Sequence, residues 1–226
     1  MWESLLDDHA SNSQIDKLDG VAVKQVLESH GVKVEKLRDD IKKIAWKDVF
    51  SPLDGKRTRK SSWYTKDPCR CPYSYGNSSW PSNMMPQWMC QLASVLEELT
   101  GLDIEGESLD GINCNLYDNL AQHLTWHSDN EPIFKKKDGE ATIVSLSFGL
   151  ARKFEWRKKH DKDNYNFTTL DDLDILVMKK KTQIHWEHRV PALGTSDGME
   201  QSQPRINLTF RYIAKHSEKC PCNSSH

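Results

Sequence analysis

Beyond Gly101 the apolar residues of this chain recur at every second position instead of every third or fourth, and that switch restricts the fold more than any other feature. Segments at about 112–117 (INCNLY), 123–128, 142–148 (TIVSLSF), 153–157 (KFEWR), 174–178 (DILVM), 183–188 (QIHWEH) and 205–212 (RINLTFRY) read as strands. Many short strands separated by turns pack as a sandwich or a jelly roll. Before the switch the pattern is helical. Residues 14–45 read as helices, with Val34, Leu37, Ile41 and Ile44 at intervals of three and four and Gly31 as a stop before them. Another helix starts near Pro86, carries Trp88, Leu92, Val95, Leu96 and Leu99 on one stripe, and ends before Gly101. Between them, residues 51–86 are rich in Pro, Ser, Cys and aromatic residues with no helical period. They read as a long loop-and-hairpin region of the kind that carries function.

A chain of 226 residues with 37% hydrophobic content, 8 Trp, 6 Tyr and 6 Phe is expected to fold as one domain. Its formal net charge of −2 gives no global case for nucleic-acid binding. Local basic runs at Lys135–Lys137, Lys158–Lys159 and Lys179–Lys181 fit either a phosphate backbone or a solvated face. The opening MWESLLDDHASNS lacks a basic stretch followed by an apolar one, and no segment is apolar enough to span a bilayer. The expectation is an intracellular protein of nucleus or cytoplasm, monomeric and without membrane contact. The N-x-[ST] sequons at Asn77, Asn166, Asn207 and Asn223 then have no glycosylation role. In a reducing compartment the six cysteines stay free or bind metal. Cys69, Cys71, Cys220 and Cys222 would make a four-thiolate structural zinc site if the fold brought the two pairs together, although the one-residue spacer is not the usual zinc-ribbon spacing.

The segment LTWHSDNEP carries His127, Asp129 and Glu131 at two-residue spacing, which on an extended strand aims all three at one face. That grouping is costly unless something binds there. The last strand divides the same way, with Ile206, Leu208, Phe210 and Tyr212 on one face and Arg205, Asn207, Thr209 and Arg211 on the other. The polar face fits either a solvated outer surface or an inward lining that binds an anion through arginine forks. INCNLY repeats the division, with Asn113, Asn115 and Tyr117 opposing Cys114 and Leu116. His127 and Asp129 supply two ligands of a two-histidine, one-carboxylate site of the non-haem Fe(II) kind, and His185 and His188 are both candidates for the third.

Taken together, H-x-D on one strand, a histidine about sixty residues later beside R-V-P, and PRINLTFR at the end resemble the AlkB family of Fe(II)- and 2-oxoglutarate-dependent dioxygenases. The likeness runs from about residue 57 to 213 and takes in NLY, HSDNE and VSLSFG. It implies an α+β chain with a double-stranded β-helix (jelly-roll) core at about 102–213. Around that core it implies a helical segment at 1–50, a nucleotide-recognition lid at about 51–86 within a dioxygenase domain of 51–226, and a tail at 214–226. It further implies that His127, Asp129 and His188 bind iron and that Asn115, Tyr117, Arg205, Asn207 and Arg211 hold 2-oxoglutarate. The implied reaction uses O2, with ascorbate as an assay reductant, and oxidatively demethylates 1-methyladenine- or 3-methylcytosine-type bases in DNA or RNA, releasing formaldehyde, succinate and CO2.

The loop RKSSWYTKDPCRCPYSYG resembles the family's lid, which places Tyr75 against a target base with Tyr73 nearby. Aromatic rings give an unstacked base a flat partner, or they simply pack the lid on the core. Glu131 matches the family acid that meets the exocyclic edge of a cationic base, or it caps the turn at Pro132. Arg59, Lys60 and the Lys135–Lys137 run are the expected phosphate contacts. The CRC insertion and the lysine-rich stretch after Pro132 depart from the family pattern, and the lack of an apolar finger favours single strands over duplex. The alternative keeps fold and cofactors but hydroxylates a protein side chain or a small metabolite.

Overall fold

The helices form where sequence caps meet apolar stripes, and the computed structural model, which describes residues 15–75, 78–102, 108–193 and 203–225, shows what they cover. In chain order the first elements are β1 (Ile15–Leu18), α1 (Gly20–Ser29), α2 (Val34–Ile41), β2 (Lys47–Phe50) and β3 (Arg57–Thr65). The short strands β4 (Tyr73–Tyr75), β5 (Ser78–Trp80) and β6 (Asn83–Met84) precede α3 (Gln87–Thr100). Then follow β7 (Gly111–Tyr117), β8 (Leu124–His127), β9 (Ile143–Gly149), β10 (Arg152–Lys158), β11 (Asn166–Leu170) and β12 (Ile175–Met178). A one-turn helix α4 (Thr182–His185), β13 (Trp186–Val190) and β14 (Arg205–Arg211) complete the series.

Asp19 caps α1 by accepting from the Val21 N–H at 2.9 Å. At the end of α3, Gly101 takes φ +71°, the left-handed conformation that glycine adopts without a Cβ penalty. Gly149 closes the β9–β10 turn at φ +81°, where an added Cβ would collide with the Pro204 carbonyl oxygen.

The strands form an 8-stranded sheet in the order β1-β12-β9-β14-β7-β3-β2, with β6 pairing in parallel on β3, and a 4-stranded sheet in the order β11-β10-β13-β8. The remaining strand pairings are antiparallel, as in the β14 register of Arg205 with Tyr117 and Asn207 with Asn115. The mixed, mainly antiparallel architecture agrees with the α+β expectation and is consistent with a jelly roll. The outer face of the large sheet is apolar. Ile112, Cys114, Val144, Leu146, Leu208 and Phe210 lie in one core cluster with Val23 and Leu27 of α1, Leu37 and Ile41 of α2, and Leu92 and Leu96 of α3. Burying such side chains against helices is the main stabilising contribution, at about 1.5–3 kcal/mol each. The inner face looks toward the 4-stranded sheet, and the space between the sheets is the pocket described below.

Three readings of the sequence change here. Residues 15–18 form a strand on β12 before the helices begin. The region at 51–86, read as loop and hairpin, does hold the β4–β5 hairpin, but it also contains β3, a nine-residue strand of the large sheet paired with both β2 and β7. Its polar sequence RTRKSSWYT hid it: Arg59, Ser61 and Ser62 are buried, so no apolar–polar alternation exists to be read. The segment 183–188 begins as the turn α4 and becomes extended only at Trp186. The start MWESLLDDHASNS and the sequon Asn77 lie outside the described residues. Among the described residues, no helix is long and apolar enough to cross a membrane.

Candidate metal and cosubstrate centre

Antiparallel pairing of β13 with β8 sets His188 directly opposite His127, so the two imidazoles share one face with ring centroids 4.2 Å apart. The strand β8 ends at His127, and Asp129 lies two residues beyond it. This stretch is pinned to the neighbouring segment: the Asp129 N–H donates to Gln183 Oε1 at 2.9 Å, and Ser128 Oγ donates to the Trp186 carbonyl at 3.0 Å. The Asp129 carboxylate lies 3.5 Å from His127 Nε2 and 3.9 Å from His188 Nε2. One donor atom from each of the three residues falls within 4.8 Å of the others. His127 Nδ1 faces the Thr125 carbonyl at 2.8 Å and must donate its proton there, which leaves the Nε2 lone pair turned to the centre.

The electrostatics suit a cation. Burial lowers the His127 imidazole, and burial together with the neighbouring His127 pushes His188 down to about 3, so both are neutral donors. Burial alone would raise the Asp129 carboxyl, but Arg211, His127 and His188 outweigh it and hold the group well below the usual range. Arg211 Nη2 donates to Asp129 Oδ2 at 2.6 Å, which orients the carboxylate. Two neutral imidazoles and one carboxylate on one side of a point are the donor set of non-haem Fe(II). The residues fit that metal.

They also fit a dicarboxylate. Asn115, Tyr117, Arg205, Asn207 and Arg211 all line the same pocket as His127, Asp129 and His188. The polar face of β14 is therefore an inward lining, and the solvated alternative is set aside. Arg205 is 2% exposed, yet its hydrogen bond goes to a neutral group, Ser147 Oγ at 3.1 Å, and its Nε has no partner. Burial pushes this guanidinium down to about 10. Arg211 likewise leaves Nε and Nη1 unpartnered. Buried guanidinium donors without acceptors are expensive and call for an anion with several oxygens. Asn207 is held in place by donating to Ser145 Oγ at 2.7 Å and accepting from Thr209 Oγ1 at 2.6 Å.

Other expected residues are placed differently. His185 ends the turn α4 and is exposed, away from the donor group that His188 joins. Arg59 does not reach outward for phosphate: it is buried, donates from Nε to Asn115 Oδ1 at 2.9 Å, and lines both the pocket and an adjoining groove. Lys60 pairs with Asp118 at 3.2 Å, outside the pocket lining. Tyr73 is buried, stacked on Trp80 at 5.6 Å, and donates its hydroxyl to Glu131 at 3.0 Å, so its ring faces are occupied by protein. Glu131 makes no capping bond to the Pro132 turn. It stands behind Tyr73, where burial and then Asp129 raise its carboxyl. Tyr75 is half-buried, meets the His127 ring edge-on at 5.8 Å, and borders both pocket and groove.

Sequence reasoning missed Phe154, which stacks on His188 at 5.3 Å, and Gln183, which anchors Asp129. The alternation in KFEWR places Phe154 and Trp156 on one face and was the available signal for the first. Nothing local marks the second. It also missed the exposed Phe50 and Leu53 around the β2–β3 turn, beside the groove of about 450 Å³, which supply an apolar tip that no sequence pattern marks.

The chain matches the family model of the 2OG-Fe(II) oxygenase superfamily over residues 27–211. It is 34% identical over 185 residues to the alpha-ketoglutarate-dependent dioxygenase alkB homolog 3 of Bos taurus, covering 75% of this chain and 58% of that protein. The Homo sapiens protein of the same name is 32% identical over the same shares. The DNA oxidative demethylase ALKBH2 of Arabidopsis thaliana is 28% identical over 132 residues, 49% of this chain and 40% of the relative. The chain thus spans 58% of the length of the alkB homolog 3 proteins it matches. The solved structure of OsALKBH1 superposes with a TM-score of 0.59 at 17% identity, covering 88% of this chain and 98% of that one, which establishes a shared fold. With an inward-facing His–Asp–His group and two buried arginines that keep donors unpartnered in one pocket between two sheets, the chain belongs to the 2OG-Fe(II) oxygenase superfamily, as an AlkB-like member.

Proposed function

We propose that the protein is an Fe(II)- and 2-oxoglutarate-dependent dioxygenase that demethylates N-alkylated bases of the 1-methyladenine or 3-methylcytosine type in nucleic acid. The observation that carries this reading is Arg205, a buried cation without an anionic partner, opening into the pocket that holds His127, Asp129 and His188. In this reading Arg205 binds the far carboxylate of 2-oxoglutarate, and Asn115, Tyr117 and Asn207 line its path. Arg211 holds Asp129 Oδ2, and the Thr125 carbonyl holds His127 Nδ1, so the three donors meet a metal without reorganising. When bound, iron with 2-oxoglutarate and O2 supplies the oxidising power to hydroxylate an N-methyl group, whose hemiaminal then releases formaldehyde, with succinate and CO2 as coproducts.

The relative named as a DNA oxidative demethylase supports a nucleic-acid substrate, and the relatives named as dioxygenases support the oxidative chemistry. Tyr75, at the junction of pocket and groove, is the ring that stacks on the base. Tyr73 lines the pocket beside it, and Glu131, which accepts the Tyr73 hydroxyl bond, supplies a carboxylate that favours a cationic methylated base over a neutral one. Single strands are the favoured form, because a base already unstacked costs least to extrude. Exposed Phe50 and Leu53 support a second reading, entry into duplex by an apolar wedge. The test is mass spectrometry of single-stranded and duplex oligonucleotides carrying either lesion, incubated with protein, Fe(II), ascorbate and 2-oxoglutarate. Loss of the methyl mass that depends on 2-oxoglutarate is the expected result. Succinate formation with every oligonucleotide intact would overturn the nucleic-acid assignment and leave a protein side chain or small metabolite as substrate.

A further inference from the structure

We propose that Cys69, Cys71, His216 and Cys220 form a structural zinc site that ties the segment leading into β4 to the C-terminal tail. The four donor atoms lie within 4.8 Å of one another, and the fourth ligand is His216 in place of Cys222. His216 Nδ1 is 3.5 Å from Cys69 Sγ, 3.7 Å from Cys71 Sγ and 3.5 Å from Cys220 Sγ, while the Cys69 and Cys220 sulfurs are 3.8 Å apart. A regular tetrahedron with Zn–S of about 2.3 Å and Zn–N of about 2.05 Å has S···S edges of about 3.8 Å and S···N edges of about 3.5 Å. These four separations therefore match the edges of a zinc tetrahedron. A disulfide would need two sulfurs at about 2.05 Å, and all of these cysteines are free.

Backbone donors complete the picture. The Cys71 N–H points to Cys69 Sγ at 3.5 Å and the Ser217 N–H to Cys71 Sγ at 3.2 Å, contacts that stabilise thiolates holding a cation. All three thiols are buried, and a closed set of four soft and borderline donors is a structural arrangement, unlike the three-donor group with open positions in the pocket. No residue belongs to both groups.

The site joins parts of the chain far apart in sequence. On one side Trp63 Nε1 donates to the Cys71 carbonyl at 2.9 Å and Thr65 Oγ1 to the Cys69 carbonyl at 2.7 Å, which seats the Cys-x-Cys turn on β3. On the other, the Ala214 and Lys215 N–H groups donate to the Ile133 carbonyl, which leads the tail to the cluster. Cys71 lies two residues before Tyr73, so the metal braces the aromatic wall of Tyr73, Trp80 and Phe134.

The experiment measures zinc by elemental analysis in the full chain carrying Asp129→Ala, which disables the other donor group, after dialysis against a mild chelator. One zinc per chain is expected. Cys69→Ser/Cys71→Ser and His216→Ala should each lower it at least tenfold, and Cys222→Ser should retain it. As a check independent of how those variants fold, the Asp129→Ala chain loaded with Co(II) should show thiolate-to-cobalt charge transfer and tetrahedral ligand-field bands. Absence of zinc, a zinc content that Cys222→Ser removes and His216→Ala spares, iron with labile sulfide in its place, or thiol counting that finds a Cys69–Cys220 disulfide would overturn the proposal.

Discussion

The two faces of β14 share a backbone and a hydrogen-bond register yet do opposite work. Leu208 and Phe210 point to the helices and are fully buried in the apolar core, whereas Arg205, Asn207 and Arg211 point to the pocket and are equally buried among polar groups, the two arginines with donors left over. One face lowers the free energy of the fold by removing apolar surface from water. The other raises it by holding guanidinium groups away from water without full compensation, a cost that a bound anion recovers. The period of two along a strand lets stability and chemistry be assigned to alternate residues without interfering.

The sharpest break in that division is Asp129→Ala, which removes a proposed metal donor and strands Arg211; 2-oxoglutarate turnover should fall to background, read as succinate release. Phe210→Ala tests the opposite face and should cost about 3–5 kcal/mol in chemical denaturation while leaving the KM for 2-oxoglutarate unchanged in the folded fraction. Arg205→Met should weaken 2-oxoglutarate binding by about 2–4 kcal/mol, roughly 30- to 1,000-fold, and raise the Tm of the ligand-free protein, because an unpaired buried charge is replaced by an apolar chain of similar length. An unchanged Tm and KM for this variant would dissolve the comparison.

Beside the end of β14, Asp110 just before β7 accepts from the Ile213 N–H at 2.7 Å, and burial raises its carboxyl to about 6 from 3.8. A folded-state pKa above the unfolded one gives stability that is present below pH 3.8 and lost as pH rises through about 6. Asp110→Asn, which keeps the acceptor oxygen, should flatten this fall of up to about 3 kcal/mol in denaturation curves measured from pH 4 to 7. The smallest effect belongs to the pocket wall. Tyr73→Phe removes the hydroxyl bond to Glu131 and should cost about 1 kcal/mol of stability, with a larger change in KM for a methylated oligonucleotide than in KM for 2-oxoglutarate.

Legibility followed the same division. Alternation in RINLTFRY separates the two faces of β14 by residue type alone, because each face is uniform in polarity. It does not say which polar face is inside. In β3 the same rule fails, since Arg59 and Ser61 on the pocket side are buried polar residues satisfied by Asn115 and Asn113, and the strand looks like a solvated loop. The histidines show a third case. Spacing leaves His185 and His188 equivalent, and only the helical turn α4 sends the first outward and the second against His127. For the cysteines, local pairing suggests Cys222, while His216 stands in the tail with no pattern around it.

The amino-acid sequence alone therefore determined the strand-rich core, the His127–Asp129 pair and the arginine-bearing strand, because these depend on residue type and a period of two. Tertiary structure decided which faces became interior, which histidine met Asp129, and which residue joined the thiols. Those outcomes depend on sheet pairing across long sequence separations, such as β13 on β8 and the tail on the turn before β4, and no local pattern encodes that pairing.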